Sequence, residues 1–312
     1  MEETDAEGER MPAIIAHHIF GEDAAELLPS GMIEGEEELL AFLLGNQGPD
    51  PLFARFSALP SRAMADHALA HQMHACRCGS ALAAFRSGVE HLPREDERIG
   101  RAFVLGLLGH YALDSCAHPF VFSQQEALAA ADPDLEGSQS DLHAVIESDI
   151  DSWLLWEKRA ATVLERPAYA YLMRTPRIDR VAGALFSQTA LSVYGVSIGV
   201  EEYGRSVADY ELEYRLLDPA GTVRLQVAGA AERLVRSHSF AQAMAHRVTR
   251  SHECPAANLE RRAWADPEDG RERHESFADL FDAALGSYDA LAKSFVRGNL
   301  RVGVDYNGRT LR

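Results

Sequence analysis

The sequence predicts an all-α fold, and three observations carry that prediction. Apolar and small residues recur at helical spacing over long stretches of the chain, which is the pattern of amphipathic helices. Clusters of proline, glycine, asparagine and aspartate separate those stretches, as turns do. No Gly/Ser linker and no internal repeat divides the 312 residues. We therefore expect a single multi-helix domain over residues 12–312, preceded by a disordered extension over residues 1–11.

The predicted helices follow in order from these signals. Pro29-Ser30-Gly31 ends the first, and residues 45–51 after the second have the composition of a tight loop. The fourth helix is strongly apolar, and small residues such as Gly106 would let a neighbouring helix approach it closely. The predicted helices cover residues 12–28, 34–44, 61–86, 98–117, 142–164, 177–193, 198–217, 223–248 and 277–296.

Three other segments show less regular patterns. Residues 131–140 are rich in aspartate and glycine and are predicted to connect two helices, while the Asp-Pro-Ala-Gly sequence at 218–221 predicts a turn. The alternation of Tyr210, Leu212 and Tyr214 before that turn would also fit a strand, although we favour a helix. Residues 254–274, which include Trp264, are expected to form an ordered polar loop.

The charge balance excludes some classes of partner. Lysine and arginine number 30 against 48 aspartates and glutamates, so the net charge is −18. No basic-aromatic stripe and no basic amphipathic helix is evident, which disfavours a stable nucleic-acid partner and offers no support for lipid-surface binding. A phosphodiester substrate remains compatible with this charge, because bound divalent cations can supply local positive charge.

The cysteines and the hydropathy indicate the cellular setting. Four cysteines are too few for a disulfide framework, and Cys76-Arg77-Cys78 lacks the two-residue gap of a redox or zinc motif. The first ten residues are acidic, unlike the basic start of a signal peptide. No uncharged apolar run approaches the ~20 residues of a membrane span. We therefore expect a soluble, cytoplasmic protein with no transmembrane segment.

Two groups of side chains point to metal chemistry. His110, Asp114 and His118 follow one another at four-residue steps, and His143 and Glu147 repeat that step shortly afterwards. Residues four apart lie on one face of a helix. Neutral imidazoles and carboxylates are ligands that suit zinc. A buried, unpaired Asp114 would be unfavourable by several kcal/mol, so a compensating charge is expected beside it.

The spacing predicts more than one metal ion. At about 1.5 Å rise per residue, the backbones of His110 and His118 lie roughly 12 Å apart along one helix, too far to close easily on one ion. Asp114, midway between them, can lie near both ions. His118 is then expected to share an ion with His143 and Glu147. Pro119 is expected to push His118 out of helical conformation and to turn its side chain away from the other two.

Six segments of the chain together resemble the zinc-dependent phospholipase C family, in its short intracellular branch. The family is more distantly similar to the zinc-dependent single-strand nucleases. The most specific segment is the His-x3-Asp-x3-His-Pro block. The matching segments are Met-Pro-Ala-Ile-Ile-Ala-His-His-Ile-Phe-Gly at 11–21, Gly-Asn-Gln-Gly-Pro-Asp at 45–50, Met-His at 73–74, the block at 110–120, residues 143–147, and a C-terminal signature over 254–277.

The resemblance implies an all-α fold that binds two or three zinc ions in a cleft. Carried over by position, one zinc would take Asp50, His74, His110 and Asp114. A second zinc would take His118, His143 and Glu147. A third would share Asp114 and use His17 together with the amine and carbonyl of the chain's own N-terminus.

The N-terminus departs from the secreted relatives, in which a mature N-terminal tryptophan supplies the backbone ligands. Met1 lies far before His17, but Met11 is followed by Pro12, five residues before His17. Translation from Met11 with removal of that methionine would place Pro12 as the terminal ligand. The four-residue gap from Asp114 to His118 is also shorter than in the secreted enzymes, although the intracellular branch shares it.

Several ligand assignments compete with neighbouring residues or with structural roles. His17 competes with His18, and His74 competes with His67 and His71 on related helical positions. Asp50 could cap the segment that follows it instead of binding a metal, and His143 with Glu147 could be a surface pair. Isolated histidines on apolar helices are more often hydrogen-bonded core residues than ligands.

The expected reaction is phosphodiester hydrolysis by a zinc-activated hydroxide, because zinc lowers the pKa of a bound water toward about 7. Asp50 is the candidate catalytic residue, orienting or deprotonating that water as well as binding zinc. A phospholipid or another phosphodiester is the expected substrate. The alternatives are a nuclease or small-molecule phosphoesterase with the same metal site, and a non-catalytic protein that the metal stabilises.

Overall fold

The longest helix, α5, packs against many of the other helices. The structure is a computed structural model that describes residues 13–135 and 137–311. Within these residues eleven α-helices follow one another: α1 (Ile14–Leu27), α2 (Glu36–Gly45), α3 (Pro60–Ala75), α4 (Cys78–Val89), α5 (Glu97–Ala131), α6 (Gln139–Arg159), α7 (Pro176–Thr189), α8 (Glu202–Leu217), α9 (Val223–Glu232), α10 (Phe240–Met244) and α11 (Phe277–Val296).

Little of the described chain is extended. Strands β1 (Trp264–Ala265) and β2 (Glu272–Arg273) form one short antiparallel pair, and Val304 and Thr310 form an isolated bridge. Short helical turns cover Asp50–Ala54, Pro133–Leu135, Ala168–Leu172, Ala190–Tyr194 and Pro255–Ala257. The prediction of an all-α, multi-helix fold is therefore confirmed, and the helical alternative for Tyr210 and Tyr214 is the one observed, since both lie in α8.

Two predicted helices are each divided in the structure. The stretch 61–86 breaks into α3 and α4 at Arg77, whose φ of 55° is left-handed and cannot continue a right-handed helix. The stretch 223–248 breaks into α9 and α10, because the Ser239 hydroxyl accepts from the backbone N–H of Gln242 and so starts a new helix. Hydrophobic periodicity persists across both breaks, so it does not reveal them.

The prediction that Pro119 removes His118 from the helix is wrong. Helix α5 continues through Pro119 to Ala131, and His118 is an ordinary helical residue. A proline inside a helix costs about 3 kcal/mol. Here the neighbouring residues Phe120 and Val121 are fully buried, and Phe120 packs edge-on against Trp264 at 5.5 Å between ring centroids. This tertiary packing outweighs the local preference.

Helices α2 and α5 pack unusually closely because each has a glycine at the crossing. A β-carbon on Gly106 would lie 2.0 Å from the Phe42 carbonyl oxygen, and one on Gly45 would lie 2.1 Å from that of Phe103. The buried apolar residues form one cluster that reaches from Ala13 to Tyr306. The close crossing brings the loop after α2 directly against the middle of α5.

No helix within residues 13–135 and 137–311 is both long and apolar enough to cross a membrane. This agrees with the hydropathy of the sequence. Even α5, at 35 residues, carries charged and polar side chains along its length.

We predict that Gly106→Ala lowers the free energy of unfolding by about 1–3 kcal/mol, because the new methyl group would overlap the backbone of α2. Gly286→Ala on α11 is the matched control, since nothing lies within 4 Å of its added β-carbon. The control should raise stability by about 0.5–1 kcal/mol through helix propensity alone. Urea denaturation followed by circular dichroism measures both, and equal effects at the two glycines would contradict the close crossing.

Candidate metal centre

The centre begins with three side chains on one face of α5. His110 Nε2 lies 2.9 Å from Asp114 Oδ2, and His118 Nε2 lies 3.7 Å from Asp114 Oδ1. All three residues are buried in the core. The four-residue steps that the sequence shows therefore place both imidazoles around one central carboxylate, as the helical geometry predicts.

Residues from three other segments meet this face. His17 of α1 approaches Asp114 Oδ1 with its Nε2 at 3.1 Å. His74 at the end of α3 places its Nε2 3.7 Å from Asp114 Oδ2 and 3.2 Å from Asp50 Oδ1. Asp50 Oδ1 is also 3.6 Å from His110 Nε2. The loop after α2 and helices α1, α3 and α5 thus converge on one group of ligand atoms.

Helix α6 completes the second half of the centre. His143 Nε2 lies 3.1 Å from Glu147 Oε1, and His118 Nε2 lies 3.7 Å from the same oxygen. The His118 and His143 rings are 5.8 Å apart between centroids. His118 therefore faces α6, as the spacing argument predicts, although it does so from within the helix.

All eight residues that the sequence singles out are brought together, and each is at most 4% exposed. Their ligand atoms form three sets in which all atoms lie within 4.8 Å of one another, which is the spacing of groups that surround one ion. The first two sets share His110. The sets are His17 with Asp50 and His110, His74 with His110 and Asp114, and His118 with His143 and Glu147.

The structure also separates the competing histidines. His18 lies beside the Tyr171 ring and points to Glu22 rather than to the cluster. His67 and His71 pack on the Phe53 ring. Within the described residues, His17 and His74 are the members of these competing groups that reach the centre. Met11 and Pro12 lie outside the described residues, so a terminal backbone ligand stays a prediction.

Hydrogen bonds to oxygen acceptors orient four of the five imidazoles. A carbonyl or amide oxygen can only accept, so each Nδ1 carries the proton and each Nε2 presents its lone pair to the centre. The four bonds join Nδ1 of His74 to Ala70 O at 2.8 Å, of His110 to Asn46 O at 3.1 Å, of His118 to Tyr306 O at 2.9 Å, and of His143 to Gln125 Oε1 at 3.1 Å.

In this orientation, unprotonated ring nitrogens and carboxylate oxygens face one another. This is the main evidence that the centre fits a cation. Within the described residues no hydrogen bond reaches Nε2 of His74 or His110, either oxygen of Asp50, Oδ2 of Asp114 or Oε2 of Glu147. Buried acceptors without donors are costly unless a positive charge lies between them. Divalent ions bound by imidazole nitrogen and carboxylate oxygen would supply that charge.

Without a bound ion, burial and the neighbouring imidazoles together set the pKa values of the carboxylates. Burial would raise the pKa of Asp114, but the imidazoles of His110, His118 and His17 outweigh burial and hold that pKa well below its usual range. Burial also opposes ionisation of Glu147, yet His143 and His118 lower its pKa to about 2. Burial lowers the pKa of His110 despite the nearby carboxylates, and this direction favours the neutral imidazole that a metal ion requires.

His17 differs from the other histidines of the centre. Burial acts to lower its pKa, but Asp114, with Asp50 and Glu147 behind it, raises the pKa to about 9. A cavity of about 20 Å³ lies between His17, Asp114, His118 and Glu147, and it is large enough for one ion or one water. The two halves of the centre therefore meet at this cavity, beside Asp114.

A buried ion-pair network holds α1 in place. Asp151 of α6 accepts hydrogen bonds from the backbone N–H groups of Ile15 and Ala16, both at 2.8 Å. His246 links Asp151 to Asp218 through contacts of 3.1 and 2.9 Å. Because Asp151 binds the first turn of α1, it sets the position of His17 one residue later.

The C-terminal segment around Tyr306 also contacts the centre, although the sequence did not predict this. The backbone N–H of Tyr306 donates to His74 O at 3.1 Å, and the Tyr306 carbonyl accepts from His118. Its ring also lies against His110, at 5.6 Å between centroids. The sequence here shows only the turn pair Asn307-Gly308 and no ligand pattern. It therefore gave no reason to predict that this segment contacts three of the histidines.

We predict that Gln125→Leu weakens zinc binding by about 10–100-fold, because His143 would lose the acceptor that fixes its tautomer. Gln124→Leu, the neighbouring position on α5, is the matched control and should bind zinc as the unaltered protein does. Competition against a chromophoric chelator measures both affinities. Equal affinities in the two variants would mean that Gln125 does not orient a ligand.

The chain matches no protein-family model, no curated protein and no solved structure. The resemblance to the zinc-dependent phospholipase C family therefore rests on the sequence motifs. The convergence of the eight side chains is observed in the structure itself, and it forms the basis of the function proposed below.

Proposed function

We propose that the protein is a zinc-dependent phosphodiester hydrolase of the phospholipase C type. The observation that carries the proposal is the convergence of five imidazoles and three carboxylates, from α1, the loop after α2, α3, α5 and α6, on one buried centre. Nitrogen and carboxylate oxygen donors at these separations suit zinc. The three ligand sets support two or three ions in each chain.

Each residue of the centre has a role in this proposal. His118, His143 and Glu147 would hold one zinc, and His74, His110 and Asp50 would hold a second. Asp114 lies between the two halves and would be shared by them, while His17 would serve a third position beside it. When bound, the ions lower the pKa of a coordinated water and neutralise charge on phosphoryl oxygens.

Asp50 is the candidate catalytic group. Its oxygens have no hydrogen-bond donor within the described residues, and it begins the short Asp50–Ala54 turn at the edge of the cluster. A carboxylate there can accept the proton of the attacking water or hold that water in line with the phosphorus. Nε2 of His74 and Nε2 of His110 lie 3.2 and 3.6 Å from Asp50 Oδ1, so the same ion would contact all three residues.

A non-catalytic, metal-stabilised protein is the second candidate, and the burial of the centre favours it. Catalytic zinc keeps one position open to substrate, whereas structural zinc is closed by protein ligands. All eight ligand side chains are buried here. Hydrolysis of a generic aryl phosphodiester by zinc-loaded protein separates the two candidates, because a closed structural site gives no turnover.

We predict that Asp114→Asn lowers hydrolysis of bis(p-nitrophenyl) phosphate by at least about 100-fold, because a neutral amide is a poor substitute for the carboxylate that would hold two ions. Asp282→Asn on the exposed side of α11 is the matched control and should retain full activity. Full activity together with full zinc content in Asp114→Asn would remove the bridging role.

We predict that His143→Ala lowers zinc content by about one ion per chain, because Glu147 and His118 alone make a poor zinc site. His91→Ala, an exposed histidine on a helical turn, should leave the zinc content unchanged. Elemental analysis of protein purified without an affinity tag gives both values. A count that does not change in His143→Ala would exclude His143 from the site.

A further inference from the structure

The solvent-facing side of α9 is apolar. Val223 and Val227 are 75% and 65% exposed, and Leu234 and Val235 just after the helix are 84% and 85% exposed. Leu234 and Val235 continue the helical turn, since their backbone N–H groups donate to Ala231 O and Glu232 O. Four large apolar side chains within thirteen residues therefore point into solvent.

The opposite side of α9 already packs on the protein. Leu225 and Gly229 are its buried residues, and the helix contacts α8 and α10. At about 100° per residue, Val223, Val227 and Ala230 fall within about 60° of one another, and Leu234 continues their stripe. Leu225 and Gly229 lie on the far side. The helix therefore has two apolar faces, and only one of them is covered.

Arginines flank the exposed stripe. On the same helical projection Arg224 and Arg233 lie about 90° to either side of the centre of the stripe. Their guanidinium groups bind only neutral oxygens within the described residues, Asp218 O at 3.2 Å and Gln242 Oε1 at 2.5 Å. Flanking arginines can extend their charged ends toward an interface while their carbon chains cover apolar surface.

The segment that carries this face has little acidic charge of its own. Glu232 is the only acidic residue in 219–238, and its carboxylate turns inward to accept from Ser239 Oγ and Ala241 N. Arg236 adds a further positive charge, although it pairs with Asp141. A chain of net charge −18 thus presents one local face that is both cationic and apolar.

We propose that this α9 face, formed by Val223, Arg224, Val227, Arg233, Leu234 and Val235, docks the protein on an anionic lipid surface. An apolar stripe flanked by cationic residues is the pattern of helices that lie in a membrane interface. Anionic headgroups complement the arginines. Acidic residues farther than about 10 Å are largely screened at physiological salt, so the local charge decides the attraction.

A protein partner fits this face less well. A stable protein interface buries about 800 Å² on each partner and has a packed centre, whereas this face is a narrow convex stripe of four apolar side chains. Partition into a bilayer has no such threshold, since each apolar side chain contributes on its own. The sequence predicted one helix over residues 223–248 and no basic amphipathic helix, whereas in the structure α9 ends at Glu232.

The test is co-sedimentation of the full chain with vesicles of phosphatidylcholine alone or with about one third phosphatidylglycerol, at low and at high salt. We expect the partition coefficient to be at least about tenfold higher on anionic vesicles and to fall with salt. Leu234→Ser/Val235→Ser should lower it at least about tenfold. Arg224→Gln/Arg233→Gln should abolish the difference between the two vesicle types.

Leu164→Ser/Met173→Ser is the matched control, since it removes two exposed apolar side chains elsewhere and should leave partition unchanged. Circular dichroism checks that each variant is folded. Failure of the unaltered protein to sediment with anionic vesicles overturns the proposal, as does equal loss in the control variant. Concentration-dependent dimerisation that Leu234→Ser/Val235→Ser abolishes, without vesicle binding, assigns the face to a second copy instead.

This docking proposal does not depend on the metal centre, because none of its residues is a ligand. Vesicle binding by metal-free protein and zinc content are measured separately, so either result can fail alone. If both proposals hold, the bilayer itself becomes the expected source of the phosphodiester substrate.

Discussion

The burial of Asp114 is the constraint on which the centre depends. Its carboxylate lies in the core among His17, His110 and His118, within hydrogen-bond or ion-pair distance of each. A buried carboxylate is tolerated only when positive charge or donors surround it. Its partners come from α1 and α5, and His74 from α3 lies just beyond. The packing of these helices therefore also determines the electrostatics of the centre.

Backbone groups from distant segments orient the imidazoles of the centre. The carbonyls of Ala70, Asn46 and Tyr306 each hold one imidazole by Nδ1, so the ring nitrogens that face the centre are acceptors. Gly48 lets the loop after α2 approach His110, because an added β-carbon would lie 2.3 Å from that ring. A set of acceptors held this rigidly is suited to cations and unsuited to neutral ligands. The zinc proposal follows from this arrangement.

The distribution of charge gives the molecule two different faces toward phosphate-containing partners. The net charge of the chain is −18, and bound cations would supply the attraction to a phosphodiester in the centre. The exposed side of α9 combines arginines with apolar side chains and so suits the headgroups and edge of a bilayer. Recognition of a surface and chemistry on a phosphoryl group would thus be performed by separate parts of the chain.

The helical class and the pairs that lie four residues apart could be predicted from the sequence, because the geometry of one helix is local. All eight side chains of the centre were also predicted, His17 and His74 through the family resemblance. The role of Tyr306 and the path of α5 through Pro119 could not be predicted, and tertiary contacts were needed to separate His17 from His18 and His74 from His71. Each depends on packing between segments far apart in the chain, and periodicity within one segment contains no information about that packing.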